Sequence, residues 1–96
     1  MNLLTESEIS IALQNLPGWV YKEDALFKTF VFKDFKTVMA VMVSIAFKAE
    51  EMNHHPDWSN VYNTLNILLS THDAGGVTSN DLKLASQIEE ISNKHL

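Results

Sequence analysis

The chain has 96 residues and a formal net charge of −5 at pH 7, and its seven basic residues are all lysines. A nucleic-acid-binding domain usually carries a basic face rich in Arg and Lys, so this composition argues against direct binding of DNA or RNA. The absence of cysteine excludes disulfides and thiolate metal sites. No apolar run approaches the roughly 20 residues of a membrane span, and the N-terminus lacks the basic segment of a signal peptide. We therefore expect one domain over residues 1–96, located in the cytoplasm.

The beginning of the chain predicts a short helix followed by two strands. Thr5 and Glu8 have the spacing of a capping box, which predicts a helix over about residues 6–15. Residues 19–21 and 26–32 are rich in aromatic and branched side chains, which predicts two strands joined by a turn. Both faces of the second strand carry apolar side chains, so we expect one to meet the core and the other a partner subunit.

A long second helix gives the strongest periodic signal. Asp34 is a favourable N-cap, and the residues that recur at helical spacing after it predict a stripe that packs against the core. That stripe consists of Phe35, Val38, Met39, Met42, Ile45, Ala46, Ala49 and Met52. The helix should end near Asn53 or His54, because Pro56 disfavours helical backbone at the residue before it.

Two further strands and a last helix are predicted after Pro56. The strands cover residues 58–62 and 65–72 and are joined at Asn63 and Thr64, which places His72 at a strand end on the more polar face. Thr78 or Ser79 caps the last helix, with Asp81 in its first turn. The predicted buried stripe of this helix is Leu82, Ala85, Ile88 and Ile91.

These elements predict an α+β fold in the order α-β-β-α-β-β-α. Four strands should form one antiparallel sheet, with three helices packed on one of its faces. Such a sheet leaves a second face and two edges open, which favours self-association.

Residues 50–81 contain three of the four histidines and predict the functional site. Glu50 and His54 are four residues apart, so they would share a face on the last turn of the long helix. Imidazoles can give and take protons near neutral pH, which favours acid/base chemistry. One alternative is a zinc site, although no HxH or HExxH spacing is present. Another is that the histidines are structural polar residues with hydrogen-bond partners at the ends of helices and strands. The residue types alone indicate a small acid/base enzyme or a ligand-binding domain with no defined substrate.

At these positions the chain resembles the pterin-4a-carbinolamine dehydratase family, also called the dimerisation-cofactor family. The family pattern is an acidic or similar residue, His-His-Pro, an aromatic residue, His and Asp at set intervals. This sequence supplies those residues at those intervals: Glu50, His54, His55, Pro56, Tyr62, His72 and Asp81. Residues 16–19 and 30–35 resemble the family as well, so the likeness covers nearly the whole chain.

The resemblance implies a hydro-lyase that removes water from a 4a-hydroxy-tetrahydropterin to give quinonoid dihydropterin, in the recycling of tetrahydrobiopterin. It implies proton transfer and pterin binding by His54, His55 and His72, with His54 and His72 as the acid and base in either order. It implies substrate binding by Asn53, Ser70, Thr71, Asp73 and Asp81. Supporting roles fall to Glu50, which is expected to orient His54, and to Trp58 and Tyr62. No metal and no redox cofactor is implied.

The resemblance also implies a homo-oligomer, with dimers formed by pairing sheets and tetramers formed through helices. Two other functions stay open on the same fold. One is a non-catalytic protein-interaction module or transcriptional coactivator, against which the three histidines argue. The other is the same chemistry on a different pterin, such as one in molybdenum-cofactor metabolism. The sequence leaves any further protein partner unidentified.

Overall fold

The computed structural model describes residues 2–96 and contains three α-helices and a four-stranded antiparallel sheet. In chain order the elements are α1 (Glu6–Leu13), β1 (Val20–Lys22), β2 (Ala25–Val31), α2 (Phe35–Met52), β3 (Asp57–Val61), β4 (Thr64–Leu69), a 3₁₀ turn (His72–Ala74) and α3 (Ser79–Asn93). The predicted α+β fold and its order α-β-β-α-β-β-α are therefore confirmed. Among these residues, no helix is both long and apolar enough to cross a membrane.

The sheet has the strand order β1-β2-β4-β3, so β1 and β3 form its edges. Phe30 of β2 pairs with Leu65 of β4, and both side chains are buried on the face that the helices cover. On the opposite face Val31 and Val61 both pair with Thr64, and their side chains are 59% and 75% exposed. The sheet thus has one covered and one open face, as predicted for three helices packed on one side of it.

The buried stripes of the two long helices differ in detail from the predicted ones. In α2 the stripe is Thr37, Val38, Val41, Ile45 and Ala49. Phe35 and Ala46 were predicted to be buried but are exposed, because Phe35 begins the helix and Ala46 lies about 100° around it from Ile45. In α3 the buried residues are Asp81, Leu84, Ala85, Ile88, Glu89 and Ser92, whereas Leu82 and Ile91 are only partly buried.

The turn between β3 and β4 lies one residue earlier than predicted. Thr64 already belongs to β4, and the turn residues are Tyr62, with φ of +50°, and Asn63. Asn63 is held in place by Phe32, because its backbone oxygen accepts from Phe32 N–H at 2.9 Å and its side chain donates to the Phe32 oxygen at 3.0 Å. These contacts from the end of β2 are not visible in the local turn sequence.

A buried polar cluster joins β2, α3 and the segment between α1 and β1. Lys28 forms an ion pair with Glu89, and the two side chains are only 16% and 12% exposed. Trp19 Nε1–H donates to the same Glu89 oxygen at 2.8 Å, and Lys28 Nζ donates to the backbone oxygen of Pro17 at 2.7 Å. The Lys28 ammonium also lies 4.5 Å from the centroid of the Phe30 ring. The cluster therefore gives each buried charge a partner, as burial of a charge requires.

Asp34 begins α2 as predicted and gives the fold a pH-dependent contact. Its carboxylate accepts hydrogen bonds from Thr37 Oγ1 at 2.6 Å and from Thr37 N–H at 2.9 Å. These bonds, that from the hydroxyl first, lower the pKa of Asp34 below its ordinary value of 3.8. A depressed folded-state pKa stabilises the fold above the unfolded-state pKa, and that contribution is lost as the pH falls through the folded-state value.

We therefore expect the stability difference between the wild type and Asp34→Asn to depend on pH. Asparagine is an equally good N-cap but does not titrate, so it lacks the charged contribution. Urea unfolding at about pH 6 and about pH 2.5 should show that the free energy of unfolding of the wild type exceeds that of the variant by more at the higher pH. A difference that stays the same at both pH values would contradict this account of the cap.

Candidate active site

The C-terminal end of α2 sets the orientation of the His54 side chain. Asn53 adopts a left-handed conformation, with φ of +50° and ψ of 43°, and ends the helix after Met52. His54 N–H still donates to Ala49 O at 3.0 Å, so the chain turns sharply while staying bonded to the last turn. This turn carries the His54 side chain away from the surface of α2 and towards the start of α3.

His54 meets a fully buried carboxylate on α3. Its Nε2 atom lies 2.5 Å from Asp81 Oδ1, and the His54 side chain is only 10% exposed. The other carboxylate oxygen accepts from Thr71 Oγ1 and from Thr78 N–H, both at 2.8 Å. Because an ionised carboxylate only accepts, it favours the tautomer in which His54 Nε2 carries the proton and Nδ1 keeps its lone pair.

The start of α3 explains why a carboxylate can be buried here. Thr78 and Asp81 form a capping box at the helix N-terminus, in which each side chain bonds the backbone of the other. The partial positive charge of the first helical turn also stabilises the carboxylate. The predicted first-turn position of Asp81 is thus confirmed, and the cap holds the group that bonds His54.

Glu50 contacts a different histidine from the one expected. Its Oε1 atom lies 2.8 Å from His55 Nε2, whereas His54 is bonded to Asp81. The expected Glu50–His54 contact is wrong because it required helical backbone through His54, and the left-handed Asn53 breaks it. The Glu50 and His55 side chains are 79% and 59% exposed, so their attraction is worth about 1 kcal/mol or less.

His72 lies in a 3₁₀ turn and not at the end of a strand as predicted. β4 ends at Leu69, and Thr71 then forms an isolated bridge with Gly76 that closes a short loop. Within this loop His72 begins the 3₁₀ turn, which ends at Gly75 with φ of +78°. The His72 side chain is exposed and forms no hydrogen bond or ion pair with any residue in the range 2–96.

The three histidines line two cavities, His55 and His72 the first and His54 the second. The first, of about 290 Å³, is lined by Ala25, His55, Pro56, Asp57, Leu68, Ser70 and His72. The second, of about 310 Å³, is lined by Asn53, His54, Thr71, Asp73, Ala74 and Asn80. The residues of segments 53–55 and 70–73 are divided between the two cavities, so both cavities lie along the same two segments. These two segments contain most of the residues that the resemblance implies for catalysis and binding.

Thr71 and Ser70, both predicted to bind substrate, have partners within the protein. Thr71 Oγ1 contacts Asp81 Oδ2 at 2.8 Å and Thr78 Oγ1 at 2.7 Å. Ser70 Oγ donates to the backbone oxygen of Asp24 at 3.0 Å. Thr71 therefore touches the carboxylate that bonds His54, and Ser70 ties the β4 end to the β1–β2 turn.

The two predicted supporting aromatics lie in different places. Trp58 pairs with Ile67 on the helix-facing side of β3 and lines an apolar cleft of about 440 Å³ beside α2. That cleft is lined by Val43, Ala46, Phe47, Ala49, Glu50, His55, Pro56 and Trp58. Tyr62 is 61% exposed in the turn that follows β3. At about 3.3 Å per strand residue, it stands roughly 16 Å along the chain from Asp57.

Five cavity-lining residues were missed from the sequence: Ala25, Asp57, Leu68, Ala74 and Asn80. Two carried a usable signal, since Asp57 directly follows His-His-Pro and Asn80 directly precedes Asp81. Ala25 and Leu68 come to the site only through pairing of strands that are distant in the chain. Among residues 2–96, no group of three or more His, Cys, Asp or Glu side chains is arranged to hold a metal ion.

Comparison with known families decides the class of protein. The family model for pterin 4 alpha carbinolamine dehydratase matches residues 2–91. The chain belongs to this family. The predicted family and the predicted hydro-lyase class of enzyme are thereby confirmed.

Relatives from distant organisms are similar to the chain over almost its whole length. A protein of Christiangramia forsetii, provisionally named pterin-4-alpha-carbinolamine dehydratase, is 50% identical over 95% of this chain and 94% of its own. Drosophila melanogaster pterin-4-alpha-carbinolamine dehydratase is 45% identical over 94% of this chain but only 49% of its own length. The crystal structure of a transcriptional coactivator/pterin dehydratase from Brucella melitensis superimposes with a TM-score of 0.90 at 42% identity. It covers 92% of this chain and 96% of that one.

Proposed function

We propose that the protein removes water from a 4a-hydroxy-tetrahydropterin and releases a quinonoid dihydropterin, as a step in the recycling of tetrahydrobiopterin. The observation that carries the proposal is the contact of His54 with the buried carboxylate of Asp81, which also bonds Thr71, the residue before the exposed His72. Such a carboxylate–histidine pair orients an imidazole for proton transfer. Membership of the dehydratase family supports the same reaction.

His54 is proposed as the general base. Since Asp81 accepts a hydrogen bond from His54 Nε2–H, the lone pair on Nδ1 is available to take the proton from the ring nitrogen next to C4a. The imidazolium that forms is stabilised by the carboxylate, which is itself held by Thr71 and Thr78. Burial of the pair keeps this geometry rigid before substrate arrives.

His72 is proposed as the general acid. In its protonated form it donates to the 4a-hydroxyl oxygen, the C4a–O bond breaks and water leaves. The electron pair of the ring N–H bond forms the new carbon–nitrogen double bond, so one proton is gained by His54 and one is lost by His72. Exchange with solvent restores both imidazoles, which is easy for the exposed His72.

The neighbouring polar residues are proposed to bind the pterin. His55 and Ser70 line the cavity that contains His72, and Asn53 and Asp73 line the cavity that contains His54. Thr71 bonds Asp81, so we assign it to positioning the carboxylate and His54. We propose that Glu50 supports the site by orienting His55, its partner at 2.8 Å.

The experiment is stopped-flow absorbance of 4a-hydroxy-tetrahydropterin decay, with and without the protein. General acid and base catalysis each contribute about 10²- to 10⁴-fold, so the protein should accelerate water loss by at least about 10²-fold. His95→Ala is the matched histidine control, because His95 lies after α3 and lines neither site cavity, and it should keep the full rate. A folded wild type that leaves the spontaneous rate unchanged would overturn the proposal.

We also propose that the chain forms a homo-oligomer in the cytoplasm. The support is a row of apolar side chains on the outer surface of α2, where Phe35, Val43 and Phe47 are 49%, 56% and 73% exposed. Exposed apolar patches commonly mark protein–protein contacts. The choice between dimer and tetramer, and a role with a different pterin, stay predictions.

A further inference from the structure

Asp57 lies in the first site cavity and has no assigned role. It lines the space together with His55 and His72. Its carboxylate forms no hydrogen bond or ion pair with another residue in the range 2–96, although the histidines 54 and 55 both have carboxylate partners. An ionised group without a partner, facing a cavity, is available to a ligand.

We propose that the Asp57 carboxylate binds the 2-amino and N3–H edge of the pterin ring, and thereby selects pterins over related rings that lack this pair of donors. The inference rests on the proposed function, because it assumes a pterin in the cavity with His55 and His72. It adds a group that determines specificity and orientation to the groups that transfer protons.

The backbone places Asp57 beside an apolar surface on which a pterin ring could lie. It is the first residue of the edge strand β3 and pairs with Leu68 of β4, so both side chains project from the open face of the sheet. Ala25, Pro56 and Leu68 supply apolar contacts in the cavity, which suit the flat faces of a bicyclic ring. The strand pairing therefore fixes the carboxylate beside an apolar surface.

The chemistry of the ring edge fits a carboxylate. The 2-amino group and N3–H are adjacent donors that point the same way, and the two oxygens of a carboxylate accept both bonds at once. Among the described residues that line this cavity, Asp57 is the one with a carboxylate. The Ser70 hydroxyl, the other side-chain oxygen there, already donates its proton to the backbone oxygen of Asp24. The match favours Asp57 over its neighbours for this edge.

The same pairing orients the reacting carbon. In the pyrimidine ring of a pterin, C2 and C4a are opposite one another. A ring whose C2 side is bound by Asp57 therefore has C4a on the opposite side, where the 4a-hydroxyl accepts a proton from the general acid. This arrangement separates recognition by Asp57 from proton donation by His72.

The test is equilibrium binding of biopterin, measured by quenching of pterin fluorescence, beside a lumazine with the same side chain. The lumazine carries a 2-oxo group in place of the 2-amino group. We expect the wild type to prefer the pterin and Asp57→Asn to bind it about 10- to 100-fold more weakly, with the preference lost. In steady-state dehydration, kcat/KM should fall by at least a similar factor, because the carboxylate both binds and orients the ring.

Glu90→Gln is the matched control, because it removes one acidic charge from an exposed position on α3 and should bind biopterin as the wild type does. If Asp57→Asn keeps the wild-type affinity and preference while the wild type accelerates water loss, the Asp57 inference fails and the proposed function stands. If the wild type binds biopterin with a preference that Asp57→Asn loses, but neither accelerates water loss, the inference stands and the proposed reaction fails. A wild type that binds no pterin overturns both.

Discussion

Replacing Asp81 with asparagine is expected to lower kcat for dehydration by about 10²- to 10⁴-fold. The asparagine oxygen can still accept from Thr71 or Thr78, but its amide would then donate towards His54 Nε2. An imidazole that accepts at Nε2 must carry its proton at Nδ1, so the proposed base would lose its lone pair. The measurement is kcat and KM from stopped-flow traces, with circular dichroism to show that the variant is folded.

Asp34→Asn is the matched control for this variant. Asp34 also caps a helix and is bonded to a threonine, but it lies at the start of α2 and lines neither site cavity. It should therefore keep the wild-type kcat near neutral pH. A folded Asp81→Asn variant with wild-type kcat would show that the carboxylate does not position the base.

Replacing Glu89 with alanine is expected to destabilise the fold by about 3–5 kcal/mol, because it leaves the ammonium of Lys28 buried without its anion. It also removes the acceptor of the Trp19 indole N–H. The loss should appear as a lower urea midpoint with an unchanged slope, since the buried surface of the fold stays the same. Catalysis in the remaining folded fraction should be unaffected, because the cluster and the site cavities share no residue.

The double variant Lys28→Met with Glu89→Leu tests the reason for that loss. Removing both charges avoids an unpaired buried ion, so the double variant should be more stable than Glu89→Ala. Glu51→Ala is the control, because its ion pair with Lys48 is exposed and should cost about 1 kcal/mol or less. If Glu89→Ala costs no more than Glu51→Ala, the buried cluster does not stabilise the fold.

The elements of this fold were predictable because their signals are local. The capping box of Thr5 and Glu8, the N-cap at Asp34 and the cap at Thr78 all occur as the sequence predicts. Alternation along β2 divides its side chains between two faces, but both faces carry apolar side chains, so it did not predict which one would be buried. Each of these features depends on residues within a few positions of one another.

The partners of the site residues were not predictable in the same way. His54 reaches Asp81 because Asn53 adopts a left-handed backbone at the end of α2. His72 leaves the strand because Thr71 bridges Gly76, a contact set by loop closure. Asp57 reaches the cavity through the register of β3 on β4. The His54–Asp81 contact joins residues 27 positions apart, and the other two depend on loop closure and strand register, so the local residue pattern does not encode them.

The most direct measurement of the central claim is the decay rate of 4a-hydroxy-tetrahydropterin with the wild type, His54→Ala, His72→Ala and the double variant. If the two imidazoles act together as base and acid, each single variant should lose about 10²-fold or more, and the double variant should lose little beyond that. Folded single variants that keep the wild-type rate would show that water loss does not depend on His54 and His72, and would contradict the account.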